Sequence, residues 1–412
     1  MSNIVIIGAG LAGLTCARRL REEGIDALVL EASDEVGGRI RTDFVNGFRL
    51  DRGFQVLLTA YPEAQRWLDY DALDLCEFEP GAEVWSGGHW HRIVDPRARW
   101  WELPLGLLAR VGSLRDKMKT LRWAREASAI PMEAVWELPE TTSYARLKEI
   151  GFSDVMIERF WRPWMTGVFL EGNLETSSHM LDFVFGMMAR GRTAVPRKGM
   201  GEIPRQLADG LASGQVRLNT AVESVQPGEV RAQGGSVHLK PKHVVVAVDG
   251  QASIRLGMPE PADVHWRTSH TLYFYADKPP RGKRALLMLN GSRKSLINHV
   301  VVMSNVSADY APVDKVLLAV CLRPGVKETR ARLETEVRAQ LKSWFGRDVE
   351  QWCWLAETVV PAALPARLPL VPERVKPVAP GLWRCGDYQM HPSIQGAMES
   401  GRKVAEAVLN TL

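Results

Sequence analysis

The chain opens on a short run of Ile and Val within residues 3–7, Asn3-Ile4-Val5-Ile6-Ile7. A short Ile/Val run without polar alternation predicts a strand buried on both faces, as in a parallel sheet. Gly8-Ala9-Gly10-Leu11-Ala12-Gly13 then supplies a turn, and Leu14, Ala17 and Leu20 recur at helical spacing. Gly24 stops that helix, and residues 27–30 predict a second strand. Residues 80–190 differ in character: they are rich in Trp, Met and Arg and read as mostly helical. Alternating strand and helix signals like those of the N-terminal segment return over 196–248, with a helix at 203–211 and strands at 216–218, 222–225 and 244–248. Residues 264–320 alternate like an antiparallel sheet, with strands at 270–275, 300–303 and 316–321. A charged helix at 328–345, a Pro-rich linker over 361–380 and a final strand, turn and helix complete the pattern.

This order predicts an α/β fold with α+β character. One nucleotide-binding domain is assembled from three separated segments, 1–78, 191–260 and 375–412. The insertions 79–190 and 261–374 form a substrate-binding cap. At 412 residues, the chain is long enough for two or three structural units. Its 46% hydrophobic content supports large cores without disulfides or metals.

Charge and cysteine content narrow the function classes. Against 52 basic residues stand 48 acidic ones, a balance that argues against nucleic acid. The five cysteines include no C-x-x-C pair, so neither a disulfide framework nor a metal site is expected. A reducing, cytoplasmic setting fits that usage. The sequence leads straight into a strand without a signal-like segment, and no apolar run is long enough to span a bilayer.

The turn carries the chemistry. In G-x-G-x-x-G, Gly8 permits the tight bend, Gly10 lets the backbone approach a pyrophosphate, and Gly13 lets the helix pack on the sheet. The helix N-terminus then offers free N–H groups and a positive dipole to phosphate. Ala9, Leu11 and Ala12 complete the loop. Glu31 closes the second strand, where its carboxylate can accept ribose hydroxyls, with Ala32 and Ser33 following. Three further features favour FAD over NAD. Gly37-Gly38-Arg39 brings a second backbone segment and a cation near the pyrophosphate. Gly53-Phe54-Gln55-Val56 is a turn able to run beside the isoalloxazine. Gly386-Asp387, ending a late strand, can hold ribityl hydroxyls. A helix starting near Gly396 would point its positive end at the flavin N1–C2=O edge. Ala247, at the end of the 244–248 strand, and Ser393, Ile394 and Ala397 join the expected contacts.

These motifs resemble the flavin amine oxidase superfamily, which includes monoamine and polyamine oxidases, protoporphyrinogen oxidase, and phytoene and squalene-type desaturases. The resemblance covers nearly the whole chain. In it, 196–204 corresponds to the glycine-rich approach to a long helix, and 219–225 to the strand whose backbone near Val222 contacts adenine. It implies a Rossmann-like FAD domain, a substrate domain with a mixed sheet and capping helices, and non-covalently bound FAD, since no cysteine matches the covalent attachment of some relatives. Gly199 and Gly201 follow Pro196 rather than a clear strand. A separate nicotinamide domain is therefore not expected, and the electron acceptor would be oxygen, a quinone or another carrier.

Two departures point away from amine oxidation. The resemblance places an aromatic cage wall three residues before the terminal Gly-Ala pair, where this chain has Ser393. The lysine that amine oxidases use near flavin N5 falls near His270. The expected reaction is therefore hydride transfer from an apolar substrate to N5, with His391, Ser393 and His270 as candidate catalytic groups. Amine oxidation is the alternative; a flavin-binding scaffold without turnover is another. Two clusters would line an apolar pocket or pack as helical core: Phe160, Trp161, Trp164, Met165, Val168 and Phe169, then Met180, Phe183, Phe185, Met187 and Met188. Over 97–125, Leu107, Val111, Leu114, Met118 and Leu121 share one helical face, with Trp100, Trp101 and Trp123 beside it. That face belongs either to a membrane-surface helix or to a cap helix packed on the domain. His89 and His91 read as a loop, and Arg162 as a carboxylate anchor or a salt-bridge partner.

Overall fold

A computed structural model describes residues 3–95, 109–235, 237–259, 264–293, 295–367, 369–370 and 375–412. Its centre is a five-stranded, wholly parallel sheet. In spatial order the strands are Val216–Arg217, Leu28–Leu30, Ile4–Ile7, His243–Val246 and Leu382–Arg384. The strands Ile4–Ile7 and His243–Val246 are buried on both faces, which is why they are written almost entirely in Ile and Val. Helix Leu11–Glu22 lies against the final helix, Ile394–Leu409, and glycines set the closeness of its packing. A Cβ on Gly13 would stand 2.0 Å from the Gly8 carbonyl oxygen, and one on Gly401 2.1 Å from that of Ala12.

A second, seven-stranded sheet is mixed. Its order is Cys353–Ala366, His265–Ala276, Val316–Leu322, Ile297–Val302, Leu287–Asn290, Gly81–Ser86 and His89–Val94. Only the pair Leu287–Asn290 with Gly81–Ser86 runs parallel. Helix Arg330–Phe345 buries Leu333, Val337 and Leu341 against one face.

Several expectations change here. Residues 80–190 are not mostly helical at their start, because 81–94 form a hairpin in this sheet, and His89 and His91 sit on its edge strand rather than in a loop. The predicted linker begins as strand: Cys353–Ala366 runs through Pro361 and Pro365. It is an edge strand, where a missing N–H need not break the ladder. A strand, Thr193–Pro196, does precede Gly199 and Gly201, but it pairs antiparallel with Leu57–Leu58 and Leu75–Glu77, outside the parallel sheet. Of the 97–125 segment, residues 97–108, including Trp100, Trp101 and Leu107, lie outside the described residues. The helix itself spans Leu114–Ala129 and starts on a capping box between Ser113 and Asp116. Val111 is buried before it, and Trp123 is core, stacked on Phe185 at 4.0 Å. Arg162 is a salt-bridge partner, paired with Glu158 at 2.9 Å.

Candidate functional site

A cavity of about 1420 Å³ runs from the N-terminal turn of the parallel sheet to the helical insertion. That exceeds the ~300–1,000 Å³ of a usual small-ligand pocket, so there is room for a dinucleotide and a substrate together. At one end, Gly8, Gly10, Leu11 and Ala12 line it, with Glu31, Ala32, Gly37, Gly38 and Ala247 around them. Phe54, Gln55 and Val56 form one side, and Gly386, Asp387, Ser393, Ile394 and Ala397 another. Arg39 also lines the cavity.

The other predicted contacts sit behind this wall or away from it. The Ala9 N–H donates to Glu31 Oε2 at 2.7 Å, while the Ser33 N–H and hydroxyl donate to Oε1 at 2.9 and 2.6 Å. Three donors thus fix the Glu31 carboxylate at its strand end. Gly13 holds the helix to the sheet. Gly53, at φ +84°, turns beside Ser269. Val222 lies in a separate antiparallel sheet, paired with Ala232, and does not line the cavity.

Do these residues suit FAD? Gly10 is the sharpest indication. A Cβ there would meet none of the described residues within 4 Å, so the position faces open cavity, whereas Gly8 and Gly13 face backbone. Gly10 caps helix Leu11–Glu22 without any side-chain hydrogen bond, leaving first-turn N–H groups for an anion. The Gly37 N–H donates to Ala9 O at 2.8 Å and brings Gly38 against Gly10, closing a groove of bare backbone. Gln55 adds a second indication. Its Nε2 donates to Arg39 O and Arg52 O at 2.9 and 3.1 Å, and its buried Oε1 has no donor among the described residues. A buried acceptor left open at a cavity wall fits a ligand N–H, such as that of a flavin ring. The residues present fit the cofactor.

Arg39 and Asp387 meet each other. They form a bidentate pair at 2.8 and 2.6 Å, and Arg39 also donates to Ala363 O at 3.0 Å. The cation is therefore already matched before any phosphate arrives.

Of the three candidate catalytic groups, Ser393 and His391 meet and His270 lies apart. Ser393 lines the cavity and caps the final helix, its Oγ accepting from the Gly396 N–H at 2.9 Å. His391 lies behind it, buried, with Nδ1 3.0 Å from Ser393 Oγ and its ring stacked on Trp136 at 4.9 Å. His270 does not line the cavity; its Nε2 lies 2.8 Å from Glu357 Oε1 across two strands. Among the described residues no cluster of three or more His, Cys, Asp or Glu is placed to hold a metal ion.

The far end of the cavity is mostly apolar, although Lys117 and Thr120 also line it. Phe160, Trp164 and Val168 line it, as do Phe185 and Met188; Trp161, Met165, Phe169, Met180, Phe183 and Met187 are core instead. One residue there is not predicted by the sequence pattern: His299. A signal exists, because Asn298-His299 interrupts the otherwise apolar strand Ile297–Val302.

Comparison with known proteins agrees with this geometry. A 61-residue stretch is 43% identical to a possible lysine-specific histone demethylase 1 of Drosophila melanogaster, covering 15% of this chain and 7% of that protein. A 66-residue stretch is 36% identical to protoporphyrinogen oxidase 2 of Arabidopsis thaliana, covering 16% of this chain and 13% of that one. The matched stretches thus span a small part of these relatives' own lengths. In structure, an oxidoreductase from Methanosarcina mazei superposes with a TM-score of 0.74 at 17% identity, over 99% of both chains, which shows a shared fold. The sequence pattern of the family described as flavin containing amine oxidoreductase matches residues 11–409, nearly the whole chain, and the protein therefore belongs to that family of FAD-dependent oxidoreductases.

Proposed function

We propose that the protein oxidises an apolar small molecule by hydride transfer from carbon. When bound, FAD supplies the two-electron acceptor at its N5. The chain's own contribution is to orient the substrate and exclude water, and the observation that carries this reading is the chamber wall of Phe54, Phe78, Phe160, Trp164 and Phe185. Gly8, Gly10, Gly37, Gly38 and Gln55 would hold the cofactor beside it. Ser393, at the cavity wall, would relay a proton that leaves with the hydride to His391 behind it, whose Nδ1 lies 3.0 Å from the serine Oγ.

Anaerobic flavin bleaching tests this. Primary amines and polyamines, a porphyrinogen and detergent-dispersed isoprenoids would be compared. Bleaching by an isoprenoid or porphyrinogen is the expected result. Bleaching by amines alone would replace the reading with amine oxidation, and a flavin that none of them reduces would indicate a scaffold.

Substrate arrival follows from the same apolarity. Leu114, Met118 and Leu121 are spaced i, i+4, i+7 on one helix face; all three are exposed, and all three line the cavity. They stand at its mouth, with Arg115, Lys119, Arg122 and Arg125 on the same helix. A lipid surface would bury the apolar face and attract the cations. The protein should co-sediment with vesicles containing anionic lipid, and replacing all three apolar residues by serine should reduce the bound fraction at least fivefold. Equal sedimentation of the triple variant would remove the membrane from this reading. Among the described residues no helix is long and apolar enough to cross a bilayer.

A further inference from the structure

His299 stands in the wall of the apolar chamber with a hydrogen-bond donor that no described residue uses. Its ring packs edge-on to Phe54 at a centroid distance of 5.2 Å, and Gly167 lies close enough that a Cβ there would come within 3.0 Å of Cε1. Both neighbours line the cavity, as does His299 itself.

Its tautomer follows from its neighbour. Asn298 Nδ2 donates to Pro163 O at 3.0 Å, which fixes the amide orientation, and lies 2.9 Å from His299 Nδ1. The second amide N–H therefore meets Nδ1 as an acceptor, and the ring proton sits on Nε2. Burial lowers the imidazole to about 3, so the ring is neutral at any working pH. Nε2 is buried and has no partner among the described residues. A donor in that state in an apolar wall is costly unless a ligand meets it.

We propose that His299 recognises the substrate, its Nε2–H donating to one uncharged acceptor oxygen, a carbonyl, ether or hydroxyl, on an otherwise apolar molecule. This inference rests on the proposed reading of the chamber as the substrate site and narrows it. An ammonium group offers no lone pair to this N–H, so the same residue disfavours a protonated amine.

The test uses the full chain loaded with FAD and three probes in one mild detergent: 2-undecanone, undecane and undecylamine. Binding is read from the perturbation of flavin absorbance. 2-Undecanone should bind about tenfold more tightly than undecane, the margin of one buried hydrogen bond. His299→Leu should erase that margin and leave undecane binding unchanged. His299→Gln keeps an N–H of similar reach and should retain part of the margin, which serves if the leucine variant loads FAD poorly. Equal binding of 2-undecanone and undecane by the wild type, or a margin that survives His299→Leu, overturns the inference and leaves the apolar reading standing. Binding of undecylamine alone, or of none of the three, overturns both.

Discussion

Gly10→Leu should give a folded chain that cannot hold flavin. The substitution separates two roles that the glycine motif usually mixes. Gly10 has φ −76°, which any L residue adopts, and a Cβ there meets none of the described residues within 4 Å. A leucine would therefore cost the FAD-free fold little, within about 1 kcal/mol. Its side chain would, however, occupy the space where the pyrophosphate must approach the helix N-terminus. FAD affinity should fall on the order of 100-fold or more, about 3 kcal/mol. Gly13→Leu is the contrast: its Cβ would come within 2.0 Å of Gly8 O, so helix and strand could not dock and the chain should lose its fold along with its flavin. Flavin-to-protein absorbance after reconstitution, paired with thermal melting of the FAD-free protein, distinguishes the two. A Gly10→Leu variant that reconstitutes with one flavin per chain would mean that the pyrophosphate lies elsewhere.

The nucleotide half of this cavity was legible because it rests on backbone. Residues 4–7, 8–13 and 28–31 are short local segments, and their pattern of apolar strand, bare turn and helix has one physical solution. The cap was less legible because its logic is long-range. Pro361 and Pro365 suggest a linker until Cys353–Ala366 is known to be an edge strand. His89 and His91 suggest a loop until the hairpin at 81–94 joins the seven-stranded sheet. The Arg39–Asp387 pair joins residues 348 positions apart, so nothing local announces that these two expected cofactor contacts bind each other. The candidacy of His270 rests on resemblance alone, and its partner Glu357 belongs to a strand that the local pattern does not announce.

Asp51 is the other place where long-range logic rules, and removing it should cost much of the stability. Its Oδ1 accepts from Thr42 Oγ1 at 2.5 Å and the Met200 N–H at 2.9 Å, its Oδ2 accepts from the Tyr310 hydroxyl at 2.6 Å, and its backbone oxygen accepts from the Tyr273 hydroxyl at 2.6 Å. One buried residue thus ties the hairpin of strands Thr42–Val45 and Phe48–Asp51 to the 199–201 turn and to the seven-stranded sheet, immediately before the cavity wall at 54–56. Asp51→Ala would leave the Tyr310 hydroxyl and the Met200 N–H buried without acceptors, each costing about 1–3 kcal/mol, so a loss of about 3–5 kcal/mol is expected. Burial also pushes the Asp51 carboxyl up to about 6, against the donors that pull it down. A raised folded value favours the protonated form, so its contribution is complete below the unfolded value near ~3.9 and is lost as pH rises through about 6. Asp51→Asn keeps the shape and removes the titration. From pH 4.5 to pH 7, urea unfolding should therefore show the wild type losing ground against the D51N variant by about 2 kcal/mol. A difference that stays constant across that range would mean that Asp51 is ionised throughout and that its three donors, rather than its burial, set its charge.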